Sequence, residues 1–209
     1  MRPLPRLHAV TDAAVLALSD FAVRAAAIAA GGSAVALHAR DRAATGATLA
    51  GVTRRLLALA RPAEAAVIVN ARADIAVALE AQGLQLGAED LTPGAVRAAF
   101  PGWHGWIGAS VHSTEEARRQ VKAGADYLMV GSIYETRTHP GREGAGLSLV
   151  RETAALGIPV IAIGGITPRR ARDVREAGAY GVAAISAAWL ADDPATATMA
   201  LLEPWADAA

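Results

Sequence analysis

Along this chain, short apolar runs alternate with longer segments that mix alanine and leucine with arginine and glutamate. The runs read as strands at Leu7–Thr11, Ala34–His38, Ala66–Asn70, Gly83–Leu86, Trp106–Ser110, Tyr127–Gly131, Val160–Gly164 and Gly181–Ile185. Several are apolar at nearly every position, the pattern of a strand covered on both faces in a parallel sheet. Between them, Ser19–Ala30, Leu49–Leu59 and Thr114–Ala123 have helix-forming composition. Ser113-Thr114-Glu115-Glu116 adds a start signal, because Ser113 can cap a helix and Glu116 can complete a capping box. Ala123-Gly124-Ala125-Asp126 and Ala177-Gly178-Ala179-Tyr180 are matching stop signals, with glycine where a left-handed residue ends a helix. This echo is a weak internal repeat of a strand–helix unit. Strands alternating with helices in this way predict a single (β/α)8 barrel spanning 1–209. An open doubly wound sheet is the alternative, disfavoured because no glycine-rich dinucleotide fingerprint follows the first strand.

Two strand ends carry more than fold information. Ile158-Pro159-Val160-Ile161-Ala162-Ile163 stops at Gly164-Gly165, and Ile166-Thr167-Pro168 then opens a helix. Tyr180-Gly181-Val182-Ala183-Ala184-Ile185-Ser186 repeats the arrangement. Backbone amides without a Cβ in the way, placed at a helix start, suit an anion. In a barrel, the loops after the seventh and eighth strands are a common phosphate site. The stretch from Ser132 to Gly146 is too long and polar for a simple turn. It predicts a loop rising from the catalytic face, able to close over a ligand.

Composition narrows the class without adding chemistry. Hydrophobic residues make up 53% of the 209 residues and charged ones 19%, which argues for a well-buried globule and against disorder. Acidic and basic residues balance at 20 each with no basic run, so nucleic acid is not an expected partner. Cysteine is absent, which removes disulfides and thiol nucleophiles. No apolar stretch reaches the roughly 18–20 residues of a membrane span, and Met1–Arg6 lacks the charged-then-apolar pattern expected of a signal peptide. The expectation is a cytoplasmic protein with no membrane contact and with a homo-oligomer left open.

Barrel enzymes place working residues at the C-terminal ends of strands. Those ends here carry Thr11-Asp12, His38-Ala39-Arg40-Asp41-Arg42, Asn70-Ala71-Arg72, Gly87-Ala88-Glu89-Asp90, Ser110-Val111-His112 and Ser132. Arg40 and Arg42 are ligand cations or surface partners of Asp41. His38 shares a strand face with Arg40 and is structural or functional in equal measure. Asp90 caps the segment at Leu91-Thr92-Pro93 or binds metal. His112 precedes the Ser113 cap and reads mainly as a backbone partner. His139 sits in the long loop and is either an inert exposed histidine or a proton-transfer group, since imidazole titrates near neutrality. Asp74 falls inside a helix, and His8 and His104 lie at the stability end of their strands and receive no role.

In order along the chain stand Leu7-His8-Ala9-Val10-Thr11-Asp12, His38-Ala39-Arg40-Asp41-Arg42, Val69-Asn70-Ala71-Arg72-Ala73-Asp74-Ile75-Ala76 and Leu86-Gly87-Ala88-Glu89-Asp90. Ser110-Val111-His112-Ser113-Thr114-Glu115-Glu116-Ala117, Gly124-Ala125-Asp126-Tyr127, Tyr134-Glu135-Thr136 and Ile163-Gly164-Gly165-Ile166-Thr167-Pro168 follow. This ordered set resembles the thiamine-phosphate synthase superfamily, and within it the TenI branch. The resemblance implies a (β/α)8 barrel that holds a phosphorylated thiazole through Gly164, Gly165, Ile185 and Ser186.

Two activities of that superfamily lead to different expectations. The synthase joins an aminopyrimidine pyrophosphate to thiazole phosphate with Mg²⁺ at the departing pyrophosphate. Arg40 matches a pyrophosphate-binding arginine, Arg42 stands where lysine is usual, and Asp90 matches one metal ligand. Ala71 replaces the other metal-ligand aspartate, and His139 replaces a loop lysine. The TenI-type tautomerase shifts a proton on a carboxythiazole phosphate and needs neither metal nor cofactor. Its acid/base histidine corresponds to Ser132. The resemblance therefore implies a metal-independent thiazole tautomerase, with His139, Glu135 and Ser132 as proton-transfer residues. Arg40, Arg42, Asn70, Ser110, Thr138, Gly164, Gly165, Ile185 and Ser186 would bind substrate. The alternatives are a Mg²⁺-dependent thiamine-phosphate synthase using Asp90, and a non-catalytic thiazole- or thiamine-phosphate-binding regulator.

Overall fold

The computed structural model describes residues 3–136 and 144–206. Eight parallel strands close on themselves: β1 (Leu7–Val10), β2 (Val35–Ala39), β3 (Ala66–Asn70), β4 (Gly83–Leu86), β5 (Trp106–Val111), β6 (Tyr127–Val130), β7 (Val160–Ile163) and β8 (Gly181–Ala184). Each pairs with its sequence neighbours, and β1 also pairs with β8, where Leu7 faces Val182. Helices α1 (Ala13–Leu16), α2 (Phe21–Ala29), α3 (Gly46–Ala60), α4 (Ala73–Ala78) and α5 (Pro93–Ala99) cover the first half. Helices α6 (Thr114–Lys122), α7 (Gly146–Ala154), α8 (Pro168–Glu176), α9 (Ser186–Trp189) and α10 (Pro194–Leu202) cover the second. The (β/α)8 barrel expected from the alternation is the observed fold.

The continuous apolar runs follow from burial on both faces. Alternate residues such as Leu7, Leu37, Val67, Leu84, Ile107 and Leu128 face the helices and form the larger core. The residues between them, among them Val10, Ala36, Ile68, Tyr127, Met129 and Ile161, fill the barrel interior. Each large aliphatic side chain fully buried this way contributes about 1.5–3 kcal/mol.

The interior fixes one glycine sterically. A Cβ on Gly108 would lie 2.1 Å from Tyr127 Cζ and 2.5 Å from Gln85 Oε1. The neighbouring strands thus fill the layer, and β5 contributes backbone alone.

Local signals also hold. Ser113 caps α6 by accepting from the Glu116 amide, and the Glu116 carboxylate reaches one residue further back, to the His112 amide. Gly124 and Gly178 sit at φ +88° and +100°, as helix-ending left-handed residues. Among the described residues no helix is long and apolar enough to cross a membrane.

Candidate active site

The C-terminal strand ends converge on a cavity of about 190 Å³ lined by Arg40, Asp41, Arg42, Asn70, Ala71, Gln85, Gly87, Asp90 and Ser110. Strand parity explains the set. Asn70, Gln85 and Ser110 are the last inward positions of β3, β4 and β5, so their polar ends meet at the barrel mouth. Gln85 Nε2 donates to Ser110 Oγ at 3.0 Å, which links two walls of the cavity.

Thr11 secures the end of β2. Its hydroxyl lies 2.9 Å from the His38 carbonyl and 2.8 Å from the Arg40 carbonyl, and it accepts from the Arg40 amide at 2.9 Å. This knot fixes the backbone at Arg40, which lines the cavity together with Arg42. Burial lowers the Arg40 pKa, the Arg42 charge adds to the effect, and Asp12 and Asp41 oppose it. Two crowded guanidinium groups of that kind are stabilised by an incoming anion. Asp41 does not serve as a simple surface partner for them: its Oδ1 accepts from the Ala43 amide at 2.9 Å while the side chain lines the cavity.

Asp90 is not the helix cap that its position suggested. Thr92 caps α5 by accepting from the Ala95 amide, while Asp90 Oδ2 accepts from the Gly87 amide at 2.7 Å. That bond folds the loop after β4 back on itself and leaves the carboxylate on the cavity wall. Ala71, in the same lining, has φ +67°, a conformation in which aspartate and asparagine are enriched. Arg72 points elsewhere and pairs with Asp74 at the surface.

The interior below the cavity holds a feature that the sequence did not reveal. His8 and His38 are both fully buried, with His8 Nδ1 2.8 Å from His38 Nε2. His38 Nδ1 meets the Asn70 amide at 3.0 Å, and His8 Nε2 meets the Pro5 carbonyl at 3.1 Å. Burial, and then the charge of its neighbour His38, push the His8 pKa well below its usual value. Burial pulls His38 down to about 4, the Asn70 bond opposes this, and Arg40 adds to the lowering. The early position of His8 in β1 points to the stability end of the barrel. Its parity with Val10, which faces the interior, was the available signal.

The strand 7 and 8 ends stand apart from the cavity lining. Gly164 and Gly165 have φ +102° and +63°, conformations that favour glycine. Both also carry the chain leaving β6. A Cβ on Gly164 would lie 2.6 Å from Ser132 Cβ, and one on Gly165 would lie 2.7 Å from the Glu135 carbonyl oxygen. Ile133 and Tyr134 donate to the Ile163 and Gly164 carbonyls at 2.9 and 3.1 Å. Arg170 clamps the same turn, donating to the Gly165 carbonyl at 2.7 Å with its guanidinium 4.3 Å from the Tyr134 ring centroid. The glycine pair is thus needed for loop packing as well as for any anion. Ile185 precedes α9, and Ser186 is its exposed first residue.

The cavity therefore gathers Arg40, Arg42, Asn70, Asp90 and Ser110, and excludes Ser132, Gly164, Gly165, Ile185 and Ser186. Glu135 is exposed on the loop. Thr138 and His139 lie outside the described residues. His112 is exposed and pairs with Glu116, away from the cavity.

Residues 7–188 match the family model TMP-TENI, described as thiamine monophosphate synthase. The chain belongs to this family. Among similar members, a thiamine-phosphate synthase of Thermus thermophilus is 44% identical over 179 residues, covering 85% of this chain and 84% of that protein. The one from Salinispora tropica is 39% identical over 208 residues, covering 97% and 98%. A solved thiamine phosphate pyrophosphorylase from Pyrococcus furiosus superposes with a TM-score of 0.81 at 34% identity, covering 97% and 96% of the two chains.

These findings overturn the tautomerase expectation. Relatives at 39–44% identity over most of the chain are synthases, so the family's transferase branch is favoured over the isomerase branch. The geometry accords with that correction. Ser132, at the expected acid/base position, is a hydroxyl packed on Gly164 outside the cavity, and serine has no accessible pKa for the role without a partner.

Proposed function

We propose that this chain is a cytoplasmic thiamine-phosphate synthase, coupling an aminopyrimidine pyrophosphate to a thiazole phosphate with release of pyrophosphate. The observation that carries the reading is the cavity in which Arg40, Arg42 and Asp90 converge with Asn70 and Ser110. Breaking a bond to pyrophosphate builds negative charge on the leaving group, and preplaced cations stabilise that charge without reorganisation. Arg40 and Arg42 supply them. Asn70 and Ser110 orient the pyrimidine end, and the amides at Gly164, Gly165, Ile185 and Ser186 hold the thiazole phosphate across the mouth.

The family implies Mg²⁺, and the donor set suits it in reduced form. Mg²⁺ is commonly held by one or two carboxylates with the remaining positions filled by substrate phosphate and water. Asp90 lines the cavity as one carboxylate, Asp41 lies in the same lining, and Ala71 contributes no oxygen. When bound, the ion would neutralise the departing pyrophosphate beside Asp90.

The test is direct. Purified protein incubated with hydroxymethylpyrimidine pyrophosphate, thiazole phosphate and MgCl2 is expected to form thiamine phosphate, followed by its fluorescence after oxidation. Tight binding of thiazole phosphate with no turnover would refute the reading and favour a non-catalytic binder.

A further inference from the structure

The His8–His38 pair has no part in the reaction just described, and its hydrogen count constrains a residue that does. All four ring nitrogens are engaged: His8 Nε2 with the Pro5 carbonyl, His8 Nδ1 with His38 Nε2, and His38 Nδ1 with the Asn70 amide. Three contacts need three hydrogens, and two neutral imidazoles carry one each. The Pro5 carbonyl only accepts, so His8 carries its hydrogen on Nε2. His8 Nδ1 is then a lone pair, and His38 must donate to it from Nε2. His38 Nδ1 is left as a lone pair, and the atom facing it has to donate.

The structure has Oδ1 of Asn70 at that position, 3.0 Å away. A lone pair would then face a lone pair. Oxygen and nitrogen of a carboxamide are nearly isosteric, and their assignment follows from the hydrogen-bond network. We propose that the neutral His8–His38 pair holds Asn70 with Nδ2 on His38 and Oδ1 turned into the cavity, which makes His38 a positioning residue for an acceptor at the barrel mouth.

Neutrality follows from the surroundings. Both rings are fully buried. His8 packs beside the Tyr127 ring at 5.3 Å, and Arg40 is the charged group that acts on His38. Among the described residues no carboxylate bonds either imidazole. Burial therefore works against a third hydrogen on the pair, and nothing anionic offsets it.

The consequence is one of specificity. Arg40 and Arg42 offer only donors to the cavity and Asp41 and Asp90 offer charged acceptors, so an outward Asn70 Oδ1 adds a neutral acceptor suited to an N–H group. On the synthase reading, on which this last step rests, that group is the exocyclic amine of the aminopyrimidine.

The experiment separates the two claims. Long-range ¹H–¹⁵N NMR of the ligand-free protein at neutral pH is expected to show His8 and His38 as neutral Nε2–H tautomers, assigned by their loss in H8Q and H38Q. A doubly protonated His38, or one carrying its hydrogen on Nδ1, overturns the proposal. In N70D the carboxylate can only accept, so His38 should acquire an Nδ1–H; an unchanged His38 signal also overturns it. In turnover, H38L removes both partners and should raise KM for hydroxymethylpyrimidine pyrophosphate about tenfold, the loss of roughly one net hydrogen bond. H38Q, whose amide can donate to His8 and accept from Asn70, should recover most of that loss while kcat moves less. Equal KM values in H38L and H38Q would count against positioning. Correct tautomers in a protein with no synthase turnover would sink the synthase reading and leave the Asn70 orientation standing.

Discussion

Replacing Gly164 by alanine separates two costs that the structure superimposes. The first is conformational: at φ +102° an L-residue is strained, by about 1–2 kcal/mol where left-handed backbone is forced on it. The second is steric, because the new Cβ would lie 2.6 Å from Ser132 Cβ, 2.7 Å from Ser132 Cα and 2.9 Å from Ser132 Oγ. Relieving such contacts means displacing the segment leaving β6, at an overpacking cost of about 1–3 kcal/mol. Gly124 provides the control, since it has φ +88° with nothing within 4 Å of an added Cβ. G124A should lose only the conformational part, less the few tenths recovered by stiffening the unfolded chain. G164A should therefore be less stable than G124A by about 1–3 kcal/mol. In urea denaturation the difference appears as a midpoint lower by about 1 M at an unchanged slope. The double variant S132G/G164A should recover part of it, because Ser132 Cβ and Oγ leave while Cα remains. Equal midpoints for G164A and G124A would refute the claim that loop packing, and not backbone conformation alone, requires glycine there.

Two further outcomes follow from the site. The folded-state pKa of His38 lies near 4 against 6.5 in the unfolded chain, so the unfolded state binds the proton more readily. Stability from keeping this ring neutral is present above pH 6.5 and is lost as pH falls toward 4, by about 2 kcal/mol between pH 7 and pH 5. Urea midpoints should show a smaller acid loss in H38Q than in the wild type, and parallel losses would contradict the depressed value. The second outcome concerns the metal. Ala71 already has φ +67°, which aspartate tolerates, so A71D should fold normally and add a carboxylate to the cavity that Asp90 lines. The Mg²⁺ concentration giving half-maximal synthase activity should fall about tenfold with a second carboxylate in place. An unchanged Mg²⁺ dependence would argue that position 71 does not face the ion.

Much of the scaffold was legible because it depends on local chemistry. Runs such as Tyr127–Val130 and Val160–Ile163 announce strands buried on both faces, and Ser113 and Gly124 announce where helices begin and end. The polar strand ends were legible as a group for the same reason: a barrel sends them to one mouth. What the end residues do individually was less legible. Asp90 stands three residues before Pro93 and suggests a cap, yet Thr92 takes that role and Asp90 bonds back to the Gly87 amide. His8 lies at the start of β1, far from the mouth, and only its parity with Val10 turns it into the interior. His112 lies in a stretch that resembles the family and Ser132 stands where the tautomerase has histidine, yet both fall outside the cavity, the first paired with Glu116 and the second packed on Gly164.

By itself the sequence determined the period of strands and helices, ends such as the Ser113 cap and the Gly124 stop, and the superfamily, since each depends on neighbours a few residues apart. Tertiary structure decided which polar groups share a space. The closure of β1 against β8, and the inward parity that brings His8, His38 and Asn70 from three strands into one chain of contacts, join residues dozens of positions apart. The Gly164-Gly165 turn shows both sides. Its glycines are evident in the sequence, whereas the chain that covers them is set by packing against Ser132 and Glu135, which no local pattern encodes.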